Sequence, residues 1–432
     1  MMPLRAAILV AFATTVLPAQ QAPLSNEWNR YLPAWLQLTG EYRARLEGYS
    51  GGGFKNDNTD DYLLSRLRLN LTILPEDWFQ IRLQAQDARA LWKTLPAPPY
   101  QDTLDLRMAY LELGNAEKKG IALRAGRQEI NFGDQRLVGG SNYTNNARTF
   151  DAVRLTLRHA GYRLDTFAST VVQAVDGEFD RPFRTKADNL YGLYGGMERL
   201  VPKAVLEPYV FWRVTRNLKT EAGKPGNRDF KTYGLRWVGK LPLHFDYNTE
   251  MAAQAGSLGA DRIRAWAGHW QFGYTPAAAA WKPRLVAEYN FASGDKNPHD
   301  GTRGTFDQLY PTAHDKYGLA DQVGWRNIHD IRAGVELHPR AKWVVAPFYH
   351  SYWLASATDA LYAANSAVLA QKADGSAGTR VGQEADLSAA YAWNKQMQIG
   401  AGIGHLFPGE FLKKTTQGHG YTYPYLMVGY IF

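Results

Sequence analysis

The chain has 432 residues, among them 13 Trp, 25 Tyr and 18 Phe, with only 21% charged side chains and a mean hydropathy of −0.39. That is enough apolar material for one large domain or two ordinary ones, yet beyond the N-terminal segment no run approaches the roughly 20 apolar residues a spanning helix requires, which excludes a helical membrane protein. The absence of cysteine excludes thiolate metal sites, disulfides and cysteine catalysis, and the net charge of +8 is spread singly rather than in blocks, so it does not point to nucleic acid.

Residues 1–19 carry one positive charge at Arg5, an apolar run from Ala6 to Leu17 and a small Ala19 before Gln20, the pattern of a secretory signal peptide. Residues 20–32 read as a short N-terminal periplasmic segment and 33–432 as one domain. Within it the recurrent pattern is period-2 alternation, clearest at Arg66-Leu67-Arg68-Leu69-Asn70-Leu71-Thr72-Ile73, and repeated where Ile81, Leu83 and Ala85 oppose Arg82, Gln84 and Gln86, and where Val153, Leu155 and Leu157 oppose Arg154, Thr156 and Arg158. A strand separates these sets onto two faces, whereas a helix would mix them.

In chain order the strands are expected at 33–47, 61–74, 77–88, 103–113, 120–130, 149–158, 162–174, 187–198, 203–216, 229–238, 243–255, 261–274, 281–292, 326–338, 341–354, 380–392, 395–406 and 421–432, about eighteen in all. In the fourth, Asp105 and Arg107 share one parity and Glu112 has the other, which requires a bulge or a position near the rim. Connections alternate between short and long. Leu74-Pro75-Glu76, His159-Ala160-Gly161, Lys240-Leu241-Pro242, Pro339-Arg340 and Asn394 are short; 48–60, 89–102, 131–148, 175–186, 217–228, 293–325, 355–379 and 407–420 are long, with 256–260 the exception. Short periplasmic turns and long extracellular loops are the habit of antiparallel transmembrane β-barrels of the bacterial outer membrane. The expected fold is therefore all-β, a closed barrel. On the last strand Leu426, Val428, Tyr430 and terminal Phe432 share one face, similar to the assembly signal of such proteins. Trp78, Trp212, Trp237, Trp281, Trp343, Tyr352 and Trp353 gather near strand ends, where aromatic girdles are expected.

If the leucine face meets lipid, where an arginine near the midplane costs on the order of 2–4 kcal/mol, the polar positions face the lumen. This places Arg43, Arg45, Arg66, Arg68, Arg82, Arg107, Arg124, Arg154, Arg213, Arg236, Arg262, Arg264, Arg284 and Arg332 inside, with Glu41, Glu47, Asp105, Asp165, Glu288, Glu336, Glu384 and Asp386. Such a wall either concentrates anions or pairs its charges across strands and stays rigid. The glycine-rich connection 131–148 reads equally as an inward-folded constriction and as a surface loop. In 293–325, Asp295, Asn297 and Asp300 are loosely similar to a calcium loop, but the spacing is one residue too long and the terminal bidentate Glu is missing, so a polar turn is the better reading. No HExxH, GxSxG, P-loop or dinucleotide fingerprint is present, so no catalytic residue, metal or cofactor is expected.

Gly126-Arg127-Gln128-Glu129, Gly133-Asp134-Gln135-Arg136-Leu137-Val138-Gly139 and Arg148-Thr149-Phe150-Asp151-Ala152-Val153-Arg154-Leu155 resemble the middle of the alginate-export family of outer-membrane porins. So do Ser293-Gly294-Asp295-Lys296, Thr305-Phe306-Asp307-Gln308-Leu309-Tyr310-Pro311 and the His314 to Tyr317 stretch. The resemblance implies an eighteen-stranded barrel whose arginine-lined lumen conducts an anionic polysaccharide outward, with Arg127, Arg136, Arg148 and Arg154 as its selectivity constriction. The expected function is passive, anion-preferring conduction of an acidic polysaccharide such as alginate, with the wall arginines 124, 107, 66, 68, 43 and 45 handing carboxylates along. The alternatives are an uptake porin for small anions or sugars, an outer-membrane hydrolase with a Ser/His site, and an adhesive barrel. The expected partners are that solute, outer-membrane lipid and periplasmic export proteins.

Overall fold

In the computed structural model, the structure describes residues 27–94, 100–183 and 187–432. The expected signal peptide and the first part of the periplasmic segment lie outside these. Eighteen wall strands are formed among the described residues: β1 Leu36–Tyr49, β2 Asp60–Glu76, β3 Phe79–Leu91, β4 Asp102–Asn115, β5 Ile121–Gln128, β6 Phe150–His159, β7 Tyr162–Gln173, β8 Asn189–Met197, β9 Ala204–Lys219, β10 Pro225–Lys240, β11 Phe245–Leu258, β12 Asp261–Tyr274, β13 Arg284–Ala292, β14 Ile328–Glu336, β15 Trp343–Trp353, β16 Arg380–Ala392, β17 Met397–Pro408 and β18 Tyr421–Ile431. Each pairs antiparallel with its sequence neighbours, and β1 closes the ring against β18 with Glu41 opposite Ile431 and Glu47 opposite Tyr425. A closed ring leaves no unpaired backbone edge to face lipid, the condition for a sheet to cross a membrane.

Side-chain parity follows the alternation where the wall is most regular. On β2, Tyr62, Leu64, Arg66 and Arg68 are buried inward and Leu69 is exposed on the outer face. Register sets Arg43 opposite Arg66 and Glu41 opposite Arg68 across the first hairpin. The phase conflict on β4 is resolved by register shifts at Gln84/Ala85 and Gln86/Ala88 of β3, each letting β4 carry an extra residue. Trp78, Trp237, Trp281 and Trp343 stand exposed at the short-turn end, as a girdle requires.

Three expectations are corrected. The long loop at 217–228 is mostly strand, because β9 and β10 pair out to Lys219 opposite Pro225 and leave a tight hairpin. Tyr352 is fully buried and bonds to the Tyr317 carbonyl at 3.0 Å, so it belongs to the interior rather than to a girdle. Arg262 and Arg264 point outward with Trp266, while Ile263, Ala265 and Ala267 are buried. The reason lies inside the barrel. Ile263, Ala265 and Ala267 pack in one apolar cluster with Phe306 and Trp325, so this part of the interior is dry and the inward parity is apolar. Both arginines follow the hairpin joining β11 to β12 at the long-loop end.

Candidate functional site

Two connections that follow wall strands enter the barrel and dock on each other. After β5, residues 129–148 fold inward and are held by arginines of β1 and β2. Arg43 donates to the carbonyls of Asn142 at 2.9 Å, Tyr143 at 3.0 Å and Thr144 at 3.1 Å. Arg66 reaches the Asn142 carbonyl at 2.9 Å, and Arg68 the Asn142 side-chain oxygen at 2.9 Å. Arg45 donates to the Tyr143 carbonyl at 2.6 Å with its guanidinium 3.8 Å above that ring. The second segment, 305–327, pairs with the first: Val138 bridges Tyr310, Tyr310 donates its backbone N–H to the Leu137 carbonyl at 2.8 Å, and Thr312 to that of Gln135 at 2.9 Å. Ile130, Phe132, Leu137, Val138, Leu309 and Tyr310 are buried in the same core as wall residues Phe167, Tyr194 and Phe211. These two segments form a folded body inside the wall.

The charges around this body are mostly paired. Glu47 holds Arg45, Glu41 holds Arg66 at 2.8 Å and Arg68 at 3.1 Å, and Glu129 holds Arg107. The polar contacts of Arg43 are instead backbone carbonyls. Of the residues expected to form a constriction, Arg136 sits within the inner body between Asp134 and Glu288, each at 3.1 Å. Arg148 donates to the carbonyls of Gly139, Tyr310 and Pro311 at 2.9, 2.8 and 3.0 Å, and burial lowers its pKa to about 10. Arg154 pairs with Asp165 at 2.7 Å and lies over the Phe132 ring, and Arg124 bonds Glu112 at 2.6 Å. Arg127 stands apart: it shares the parity of outward-facing Leu123 and is bound by Asp151 directly opposite at 2.8 Å. The structure thus gathers Arg43, Arg45, Arg66, Arg68 and Arg107 around residues 129 and 142–144, places Arg136 and Arg148 elsewhere on the inner body, and leaves Arg127 outside both groups.

Several members of the site were not singled out from sequence. Asp307, in the second inner segment, takes Arg213 at 2.9 Å and also Arg228, and Lys316 reaches Asp134 at 3.1 Å. Burial pushes these carboxyls up, but Lys316 and Arg136 at Asp134, and Arg213 and Arg228 at Asp307, outweigh it and hold both below the ordinary range. At Glu129 the same contest, burial against Arg107 and Arg68, leaves the pKa at about 2. The signal that could have found this body is apolar residues within connections: Phe132, Leu137, Val138, Phe306, Leu309 and Trp325 need burial that a solvated loop does not provide. In the 293–325 connection, Asp295, Asn297 and Asp300 each accept the backbone N–H two residues on, at 3.0, 3.2 and 2.8 Å, as ordinary side-chain turns do.

Among solved structures, the chain is similar in fold to three proteins from Pseudomonas aeruginosa. OpdQ superposes with a TM-score of 0.63 at 12% identity over 92% of this chain and 97% of its own. OpdO gives 0.61 at 13% identity over 92% and 97%, and OpdK, crystallised with vanillate, 0.61 at 9% identity over 91% and 98%. No curated protein matches the chain. The family model described as Alginate export matches residues 34–423, and the chain belongs to that family, as a channel of the bacterial outer membrane and not an enzyme.

Proposed function

We propose that the channel passively conducts an anionic solute, an acidic polysaccharide such as alginate, along an arginine-rich lumen. The observation that carries this reading is the gathering of five guanidiniums, Arg43, Arg45, Arg66, Arg68 and Arg107, against three carboxylates, Glu41, Glu47 and Glu129. The surplus positive charge lies in a low-dielectric wall, which strengthens its field. Arg43 and Arg148 are held by neutral carbonyl oxygens, and a uronate carboxylate forms stronger, charge-assisted bonds to the same donors. Arginines so held can exchange a carbonyl for a passing carboxylate and release it again, as conduction through successive sites requires.

The narrowing of the lumen by residues 129–148 and 305–327 favours a second reading, a porin for small anions. Reversal potentials in planar bilayers followed by block with alginate oligomers separate the two. Anion preference with oligomer block supports polymer conduction, anion preference without block supports the small-anion porin, and cation preference removes both. Replacing Arg43 and Arg148 together by Gln is expected to weaken anion preference.

A further inference from the structure

Most buried carboxylates in the barrel meet a cation or a set of donors, but one group at the long-loop end of β4 has only single neutral donors, among them Gln86 Nε2 to Asp102 Oδ2 at 3.0 Å and the Val175 N–H to Asp180 Oδ1 at 2.8 Å. Asp102 and Asp105 are only 1% and 2% exposed, and each has a buried oxygen, Oδ1 of Asp102 and Oδ2 of Asp105, with no hydrogen-bond donor among the described residues. Three residues apart, they would face opposite sides of a regular strand. They share the inward side here because Leu104 adopts φ +48° and β4 skips a residue opposite Gln86 and Ala88. The loop after β7 delivers a third carboxylate. Asp176 accepts from Gln101 Nε2 at 2.7 Å and the Thr103 N–H at 3.0 Å, and the Asp180 N–H donates to Asp105 Oδ1 at 3.2 Å. One carboxylate oxygen from each of Asp102, Asp105 and Asp180 then lies within 4.8 Å of the others.

Among the described residues no Lys, Arg or His nitrogen lies within 4.0 Å of these three carboxylates. The nearby guanidiniums are committed, Arg127 to Asp151 and Arg107 to Glu129. Asp102 and Asp105, withdrawn from water with no ion-pair partner among the described residues and with the partly buried Asp180 beside them, cost several kcal/mol each in the ionised form. We propose that Asp102, Asp105 and Asp180 bind a calcium ion that fastens the 174–183 loop to the outer rim of the barrel. The ligands are all hard oxygens, and lying within 4.8 Å of one another they are close enough to share one ion bound at about 2.4 Å. Calcium fits better than magnesium because it accepts several carboxylates in irregular geometry, whereas magnesium keeps most of its water and takes one or two. Water completes the shell. The site is independent of which solute the channel carries.

The test uses the full-length protein, folded in detergent and stripped with EGTA. Calorimetric titration with Ca2+ is expected to show one site per chain with a Kd of roughly 10⁻⁴–10⁻³ M, and Ca2+ is expected to slow protease cleavage in 174–183. The Asp105→Asn/Asp180→Asn pair is expected to weaken binding more than about tenfold and abolish the protection, while retaining the heat-modifiable gel migration of a folded barrel. Should that pair fold poorly, Asp180→Asn alone, on the loop, provides the same comparison. Absence of Ca2+ binding to the wild type, binding undiminished in the variants, or tighter binding of Mg2+ than of Ca2+ would each overturn the proposal.

Discussion

Phe132 seats the inner body against the aromatic wall, and Phe132→Ala perturbs that seating directly. Its ring stacks on Tyr194 at 4.5 Å and meets Phe167 at 5.5 Å and Phe211 at 5.9 Å, all on the wall, while the Arg154 guanidinium lies 5.1 Å away. Truncating a buried Phe costs about 3–5 kcal/mol through lost transfer energy and the cavity left behind. The wall itself is stitched by backbone hydrogen bonds that do not involve this residue, so the loss falls on docking of residues 129–148. A change of that size shifts the ratio of seated to unseated segment by about two to four powers of ten. Single-channel recordings of the variant should therefore show larger or more frequently fluctuating conductance, with the folded-barrel gel migration intact. Phe132→Leu, which keeps most of the apolar contact, should fall between. A folded Phe132→Ala barrel with traces indistinguishable from wild type would refute the claim that this body occupies the conducting path.

Acid should open the channel over a defined window. Glu129 has a folded pKa of about 2 against 4.5 when free, so its contribution to the docked inner body is complete above about pH 4.5 and lost as the pH falls toward 2; Asp134 and Asp307, also lowered, act in the same direction. Conductance against pH checks this, and opening already complete at pH 6 contradicts it. At the seam, a Cβ added to Gly40 would lie 2.4 Å from the Phe432 ring, so Gly40→Val should displace that ring and lower the yield of folded barrel on refolding into lipid; equal yield would show that the ring contact is dispensable. Arg45→Met leaves Glu47 buried without its partner and should destabilise by about 3–5 kcal/mol in denaturant unfolding, whereas the Arg45→Met/Glu47→Leu pair should recover much of it.

The wall was legible because lipid imposes a strict rule on it. Strands such as β2, with Leu67, Leu69 and Leu71 on one parity and Arg66 and Arg68 on the other, show both solvents in one stretch of sequence. Even the conflict between Asp105 and Glu112 is readable as a bulge or a rim position, and the register shifts between β3 and β4 show the bulge. The rule fails where the inside is not water. At β12, Ile263 and Ala265 face a dry interior, so the apolar parity points inward and Arg262 and Arg264 point out, the reverse of what alternation implies for a water-filled lumen.

That reversal and the inner body have one cause. The eighteen-residue connection 131–148 reads equally as an inward constriction and as a surface loop, because connections usually run through solvent and nothing in local periodicity says which side of the wall it takes. What decides is whether its apolar side chains find a partner. Phe132 meets the aromatic wall of β7, β8 and β9, and Val138 meets Tyr310 of a second connection 172 residues later. Contacts at such separation leave no mark in the spacing of neighbouring residues. The arginines were visible one by one, but their division into a group around residues 142–144, a pair on the inner body and an outlying Arg127 depends on where that body sits. The orientation of these arginines is therefore a property of the inner segments as much as of the wall, since the carbonyls of residues 142–144 accept from Arg43, Arg45 and Arg66.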